Sequence, residues 1–263
     1  MIILEIILLF ILGIGVGTFG TLVGIGGGMI MIPIFAFLLT PAVFHSAPEV
    51  IGTSLFGVFL NALSGTFAYI HQHRVYFKAA IPFAIATLPG AFLGSIASDY
   101  FTGPTFSLAY GCFILLMSLL MYWNSANKRL VASTFNENIF KARKKIGIIL
   151  SMFVGFISSI FGIGGGIIHV PTMIYILAFP THMATATSHF ILAVSSFSGV
   201  VSHIMLDHVV WIPAISVGVG AVVGAQIGAK ISQKTKSRSI ILLLCIAMFL
   251  LGIRMITESG LVF

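Results

Sequence analysis

Apolar residues in this chain fall into eight runs, at about residues 2–39, 50–70, 77–98, 105–123, 146–177, 183–206, 209–229 and 240–257. Six of them are about 20 residues long, which is what a helix needs to cross a hydrocarbon core of roughly 30 Å. Composition leaves no soluble alternative. Of the 263 residues, 59% are hydrophobic and 7% charged, whereas a soluble domain carries about 25% charged residues. The chain is therefore expected to be an all-α polytopic membrane protein. Its start, "MIILEIILLFILGIGVG", has neither a basic leader nor a small-residue cleavage site and reads as a retained span.

The runs at 2–39 and 146–177 are too long for one crossing. As a single helix the first would extend roughly 57 Å. Both carry the same interruption, "GIGGG" followed by Pro. "VGTFGTLVGIGGGMIMIP" (Val16 to Pro33) aligns without a gap on "VGFISSIFGIGGGIIHVP" (Val154 to Pro171). At a slightly smaller offset, "GTSLFGVFLNALSG" (Gly52 to Gly65) aligns on "ATSHFILAVSSFSG" (Ala186 to Gly199), and "PGAFLGSIAS" (Pro89 to Ser98) on "VGAQIGAKIS" (Val223 to Ser232). The chain reads as two homologous halves, 1–124 and 145–263, joined by a basic loop at 125–144.

Charge placement bears on how the halves sit. The net charge is +7, and most Lys and Arg lie in three stretches, Arg74 to Lys78, Lys128 to Lys145 and Lys230 to Arg238. Basic links mark the cytoplasmic side. If each broken run crossed once, the third stretch would fall on the wrong side. If each goes in and returns, as two crossings or as a re-entrant hairpin, all three share one side. The halves are then inverted repeats, with about 8–10 membrane segments in all and both chain ends outside the cytoplasm. This second arrangement is the expectation.

Non-helical backbone is tolerated at membrane depth only where protein or a wet cavity surrounds it. Matching Gly-rich breaks in two halves point to a transporter's binding site. Gly24, Gly26, Gly27 and Gly28, with Gly162, Gly164, Gly165 and Gly166, are the candidates for bringing backbone N–H groups to an anion. Small residues also serve close helix packing, and the spacings Gly13 to Gly17, Gly90 to Gly94 and Gly220 to Gly224 fit that use. Pro33 and Pro171 leave the carbonyls of Met29 and Ile167 in need of another partner. Thr53-Ser54 and Thr187-Ser188 open the following apolar runs, either as caps or facing the anion, with Asn61 two turns beyond the first pair. His169 and His189 lie inside apolar runs. Each is either a proton or substrate relay or a neutral imidazole bonded to a carbonyl.

The duplicated "GIGGG…P" followed by a Thr-Ser pair resembles the sulfite exporter TauE/SafE family of bacterial membrane transporters, over nearly the whole chain. The resemblance implies a secondary transporter, an exporter, of sulfite, sulfoacetate or another sulfonate across the cytoplasmic (inner) membrane of a bacterium. Its substrate contacts would fall on the two glycine clusters with Pro33 and Pro171 and on the two Thr-Ser pairs. Besides the bilayer, the implied partners are a small anion and a coupling ion, H+ or Na+.

Other classes fare poorly. The six carboxylates are scattered and there is no nucleophile–base pair, so no enzyme and no catalytic residue is expected. A phosphate-binding loop for ATP is missing. The cysteines, Cys112 and Cys245, show no metal spacing, so no metal or cofactor is expected, and the basic stretches mark orientation, not nucleic acid. An anion channel or a transporter of a small carboxylate remains the alternative.

Overall fold

A computed structural model describes residues 2–39, 42–100, 103–126, 135–235 and 237–257. Residues 127–134 of the basic loop, Lys236 and Glu258 lie outside these. Every regular element among the described residues is helical: α1 (Ile2–Val23), α2 (Gly28–Ile34), α3 (Ala47–His71), α4 (Phe77–Ala97), α5 (Gly103–Ala126), α6 (Glu137–Phe161), α7 (Gly166–Pro171), α8 (Thr181–Met205), α9 (Trp211–Lys234) and α10 (Ser237–Thr257). Six of them, α1, α3, α4, α5, α8 and α9, are long and apolar enough to cross a membrane. This is the all-α polytopic membrane protein that the composition demands.

The bundle is sewn by glycine seams. A Cβ on Gly220, Gly224 or Gly228 of α9 would strike the carbonyls of Phe10, Ile14 and Thr18 of α1. A Cβ on Gly90 or Gly94 of α4 would strike those of Met152 and Phe156 of α6. Removing the side chain lets these backbones meet, the usual basis of close packing where lipid supplies no hydrophobic drive. The small-residue spacings seen in the sequence serve this purpose.

The same contacts give helix directions. Numbers rise together along α1 and α9, so these are parallel, and likewise α4 and α6. Thr53 meets Val210 and Gln72 meets Ala229, so α3 is parallel to α9. Tyr76 meets Thr187 and Leu88 meets Ser198, so α4 is parallel to α8. In contrast, Gly65 lies on His189 and Gly199 on Leu55, making α3 and α8 antiparallel. The Ser118 hydroxyl donates to Cys245 O while Gly111 faces Ile256, so α5 and α10 are antiparallel too. Thus α1, α3 and α9 run one way, and α4, α6 and α8 the other.

One face gathers the basic residues. Arg74 reaches Ser232, and Lys78 pairs with Glu137 at 3.2 Å. Asn136 caps α6 by accepting the N–H groups of Asn138 and Ile139, which starts the helix well before the apolar run and carries Lys141 and Arg143 into its first turns. On the opposite face lie Glu49, Asp99 and Asp207, at the ends of α3, α4 and α8.

Between α1 and α3, and between α6 and α8, the chain turns back inside the protein. Gly27, before α2, lies against Val16, and Gly20 against Gly27. Gly165, before α7, lies against Val154 and Ser158 in the same way. The Arg143 guanidinium donates to Ile176 O at 2.6 Å, tying the end of the returning segment to the start of α6. Each broken run therefore goes in and turns back on itself. Past Pro33 and Pro171 both returning arms widen into π-helix, at Phe35–Leu39 and Thr172–Ile176, since proline leaves the carbonyl one turn back unpaired. For Met29 that carbonyl is taken by the Tyr110 hydroxyl at 3.2 Å.

Candidate functional site

The two glycine breaks touch each other. A Cβ on Gly28 would lie 2.7 Å from Gly162 O and 2.9 Å from Ile163 Cα. One on Gly166 would lie 2.5 Å from Gly24 O and 2.6 Å from Ile25 Cα. No side chain fits between these backbones. Gly24, Gly26, Gly27, Gly162, Gly164 and Gly165 all have φ between 65° and 90°, the left-handed region that favours glycine. The turns are closed by Gly20 O, which accepts from the N–H of Gly24, Ile25 and Gly26, and by Ser158 O, which accepts from Ile163 N–H. Gly27 and Gly165 then precede α2 and α7, whose first N–H groups have no partner within their own helix.

An apolar pair fills the centre. Val58 of α3 and Leu192 of α8, which match each other in the repeat, both lie against Gly26 and Gly164. Both are fully buried and, with Ala62 and Ala193, form a cluster separate from the main core. The site is closed in this structure.

The hydroxyl residues divide into two kinds. Thr53 Oγ1 accepts the N–H of Val210 at 3.0 Å, and Thr187 Oγ1 that of Tyr76 at 3.1 Å. Each Thr thus holds the turn before a helix of the other half. Neither is a helix start: α3 begins at Ala47 behind Ser46, whose hydroxyl accepts from Glu49 N–H, and α8 begins at Thr181. The Ser partners are buried, and one of them touches a break. Ser54 Oγ donates to Gly162 O at 3.3 Å, and Ser188 Oγ, buried at the matching position, makes no hydrogen bond. Asn61 is fully engaged. Its Nδ2 donates to Gly17 O and Ala221 O, and its Oδ1 accepts from Thr21 Oγ1.

His169 sits in the returning arm, with Nδ1 3.3 Å from Gly165 O and Nε2 3.1 Å from Ser151 Oγ. His189 has Nε2 3.3 Å from Thr21 Oγ1, stands edge-on to Tyr69, and leaves Nδ1 unpaired. The Tyr69 hydroxyl donates to Thr21 O at 2.6 Å. Arg74 lies over the Tyr69 ring at 4.8 Å and donates to His182 O and Ser232 Oγ. Burial lowers the pKa of its guanidinium from the ordinary value, though a group that basic stays charged. Sequence reading passed over Tyr69, Arg74, Val58 and Leu192. The repeat alignment alone carried the signal for the last two.

A helical bundle in which two glycine-broken segments meet at the core is the class of fold in which membrane transporters build their binding sites. Residues 9–255 match the family described as "Sulfite exporter TauE/SafE", and the chain belongs to that family. It is 35% identical to the "Probable membrane transporter protein YunE" of Bacillus subtilis (strain 168), over 97% of this chain and 99% of that one. It is 28% identical to the "Probable membrane transporter protein MJ0441" of Methanocaldococcus jannaschii, over 75% and 72%. A "Probable membrane transporter protein" of Xylella fastidiosa (strain Temecula1) is 30% identical over 67% and 64%. No solved structure matches the chain.

Proposed function

We propose that the protein is a secondary transporter that exports a small sulfur oxyanion, sulfite or an organosulfonate, across the cytoplasmic membrane of a bacterium by alternating access. The observation that carries this reading is the contact between the two glycine breaks. It brings the starts of α2 and α7, whose first N–H groups have no partner within their own helix, close to one another, with Ser54 beside the second break. An oxyanion entering there is held by neutral donors, as at other helix-start anion sites. The sulfur chemistry rests on the family description. Val58 and Leu192 must withdraw to admit the anion, so binding and a change of shape are one event.

The halves, 1–124 and 145–263, are read as inverted repeats that rock about this point. In support, each helix of the first half from α3 to α5 runs antiparallel to its counterpart in α8 to α10, and α1 runs against α6. The positive-inside rule makes the basic face cytoplasmic.

The test is flux of labelled sulfite, sulfoacetate and a small carboxylate into vesicles carrying the purified protein. Saturable sulfite or sulfonate flux, inhibited by the unlabelled anion, is expected. Flux of the carboxylate alone would replace the substrate class, and electrical currents far above transporter turnover would make the protein a channel. No flux of any anion would remove the reading.

A further inference from the structure

On the face opposite the basic residues, three titratable side chains stand in a row that leads inward. Asp99, in the turn after α4, has its carboxylate 3.3 Å from Nε2 of His208, in the turn between α8 and α9. His208 Nδ1 lies 3.2 Å from Nδ1 of His203, near the end of α8. Exposure falls along the row: the Asp99 side chain is 43% exposed, that of His208 16%, and His203 is fully buried. The row ends on an unsatisfied atom, because His203 Nε2 has no hydrogen-bond partner.

The chemistry of the row orders its protons. An ionised carboxylate only accepts, so His208 Nε2–H donates to Asp99. His208 Nδ1 is then an acceptor, and His203 Nδ1–H donates to it. His203 Nε2, which makes no close hydrogen bond and lies toward the Ser159 backbone, is then the position that takes a proton from the interior. When it does, the Nδ1 proton crosses to His208, whose imidazolium rests against the Asp99 carboxylate. One proton has entered the row at its buried end and one can leave at its wet end. The reverse sequence carries a proton inward.

Two more bare hydroxyls lie between His203 and the second break. The hydroxyls of Ser159 and Ser158 are buried and also lack partners. The Ser159 side chain lies against Gly199, one turn from His203, and Ser158 Oγ lies 3.4 Å from a Cβ at Gly165, in the second break. An unmade hydrogen bond on a buried group costs about 1–3 kcal/mol, so a series of bare atoms lying between a wet mouth and a binding site needs a reason beyond packing. A metal cage is not that reason: among the described residues no group of His, Cys, Asp and Glu converges as ligands would.

The repeat supplies a control within the molecule. At the basic face, Tyr69 occupies the position of His203, and Arg74 that of His208. Tyr69 donates to Thr21 O, and Thr21 matches Ser159. A phenol and a guanidinium hold their protons near neutral pH, whereas an imidazole can take a proton on one ring nitrogen and give one up from the other. The surrounding elements add few other charges. From α3 comes Glu49, whose carboxylate accepts the N–H of His45 in the turn before that helix. Asp207 adjoins His208, α6 offers only its serines, and His169 of the α7 arm is engaged with Gly165 and Ser151.

We propose that Asp99, His208 and His203 form a proton path from the face opposite the basic loops to the neighbourhood of the second glycine break, and that protons moving along it drive transport. The inference rests on the transporter reading above, and its test separates the two. Vesicles carrying the full chain are loaded with labelled sulfite, with protein-free vesicles as background. Two quantities are compared: exchange against unlabelled sulfite without a pH gradient, and accumulation driven by an imposed pH gradient. Exchange requires no net proton movement. Wild type is expected to do both. His203→Gln, and Asp99→Asn at the exposed end where folding is not at stake, should keep exchange and lose gradient-driven accumulation. Three results overturn the path: wild-type sulfite flux indifferent to the gradient, Asp99→Asn and His203→Gln accumulating as wild type does, or Asp99→Asn losing exchange and accumulation together, which is a structural defect. Only the absence of all sulfite flux in wild type counts against the transporter reading as well.

Discussion

Tyr110 shows how a single side chain repairs what a proline breaks. Its hydroxyl reaches Met29 O, the carbonyl that Pro33 leaves free. Tyr110→Phe should cost about 1 kcal/mol, the net value of a typical hydrogen bond, and lower the melting temperature in detergent while sulfite exchange persists. Thr53 gives a sharper test, because its hydroxyl accepts the Val210 N–H. Thr53→Val leaves that N–H unsatisfied, so stability should fall by about 1–3 kcal/mol with sulfite affinity unchanged, as followed by thermal unfolding and binding. The sequence made glycine, Thr-Ser and histidine stand out, since they are foreign to an apolar run. It could not divide their labour. Thr53 looked like a helix opener because the apolar run starts beside it, but the helix starts earlier, behind Ser46. Val58 and Leu192 fill the centre of the site and looked like any other apolar residues.

At the level of elements, glycine position decides tolerance. Gly13 of α1 sits on the Val217 carbonyl of α9, whereas Gly15, two residues on, has nothing within 4 Å of its Cβ direction. Gly13→Leu should therefore push α1 and α9 apart and cost more than the roughly 1–3 kcal/mol of an overpacked core. Gly15→Leu should fold as wild type. Yield and a single peak in size-exclusion chromatography distinguish them. That each broken run goes in and returns was legible from the basic loops, by counting which arrangement gathers them. Where each run turns was not, because apolar length says nothing of the turning point, and contacts such as Gly27 on Val16 and Arg143 on Ile176 show it.

For the whole molecule, the basic face and the acidic face predict orientation. With Cys112, which is exposed, replaced by Ser, a cysteine introduced as Asp99→Cys should react in intact cells with a thiol reagent that does not cross membranes. Lys234→Cys should react only after the membrane is opened. The opposite pattern would invert the protein in the bilayer and reverse the assignment of the two mouths. The proton row belongs to this scale too. Asp99 and His208 are far apart in the chain and come together only because α4 runs parallel to α8, so no local motif announced them.

The central claim is that the anion is held where the two glycine breaks meet, and equilibrium binding of sulfite to the purified protein tests it most directly. Wild type should bind saturably. Gly28→Ala and Gly166→Ala, each of which adds one carbon where the opposing backbone already lies within 2.7 Å, should lower the melting temperature and, in the protein that folds, weaken binding by about tenfold or more, some 1.4 kcal/mol. Sulfite binding at wild-type strength in both folded variants would contradict the account.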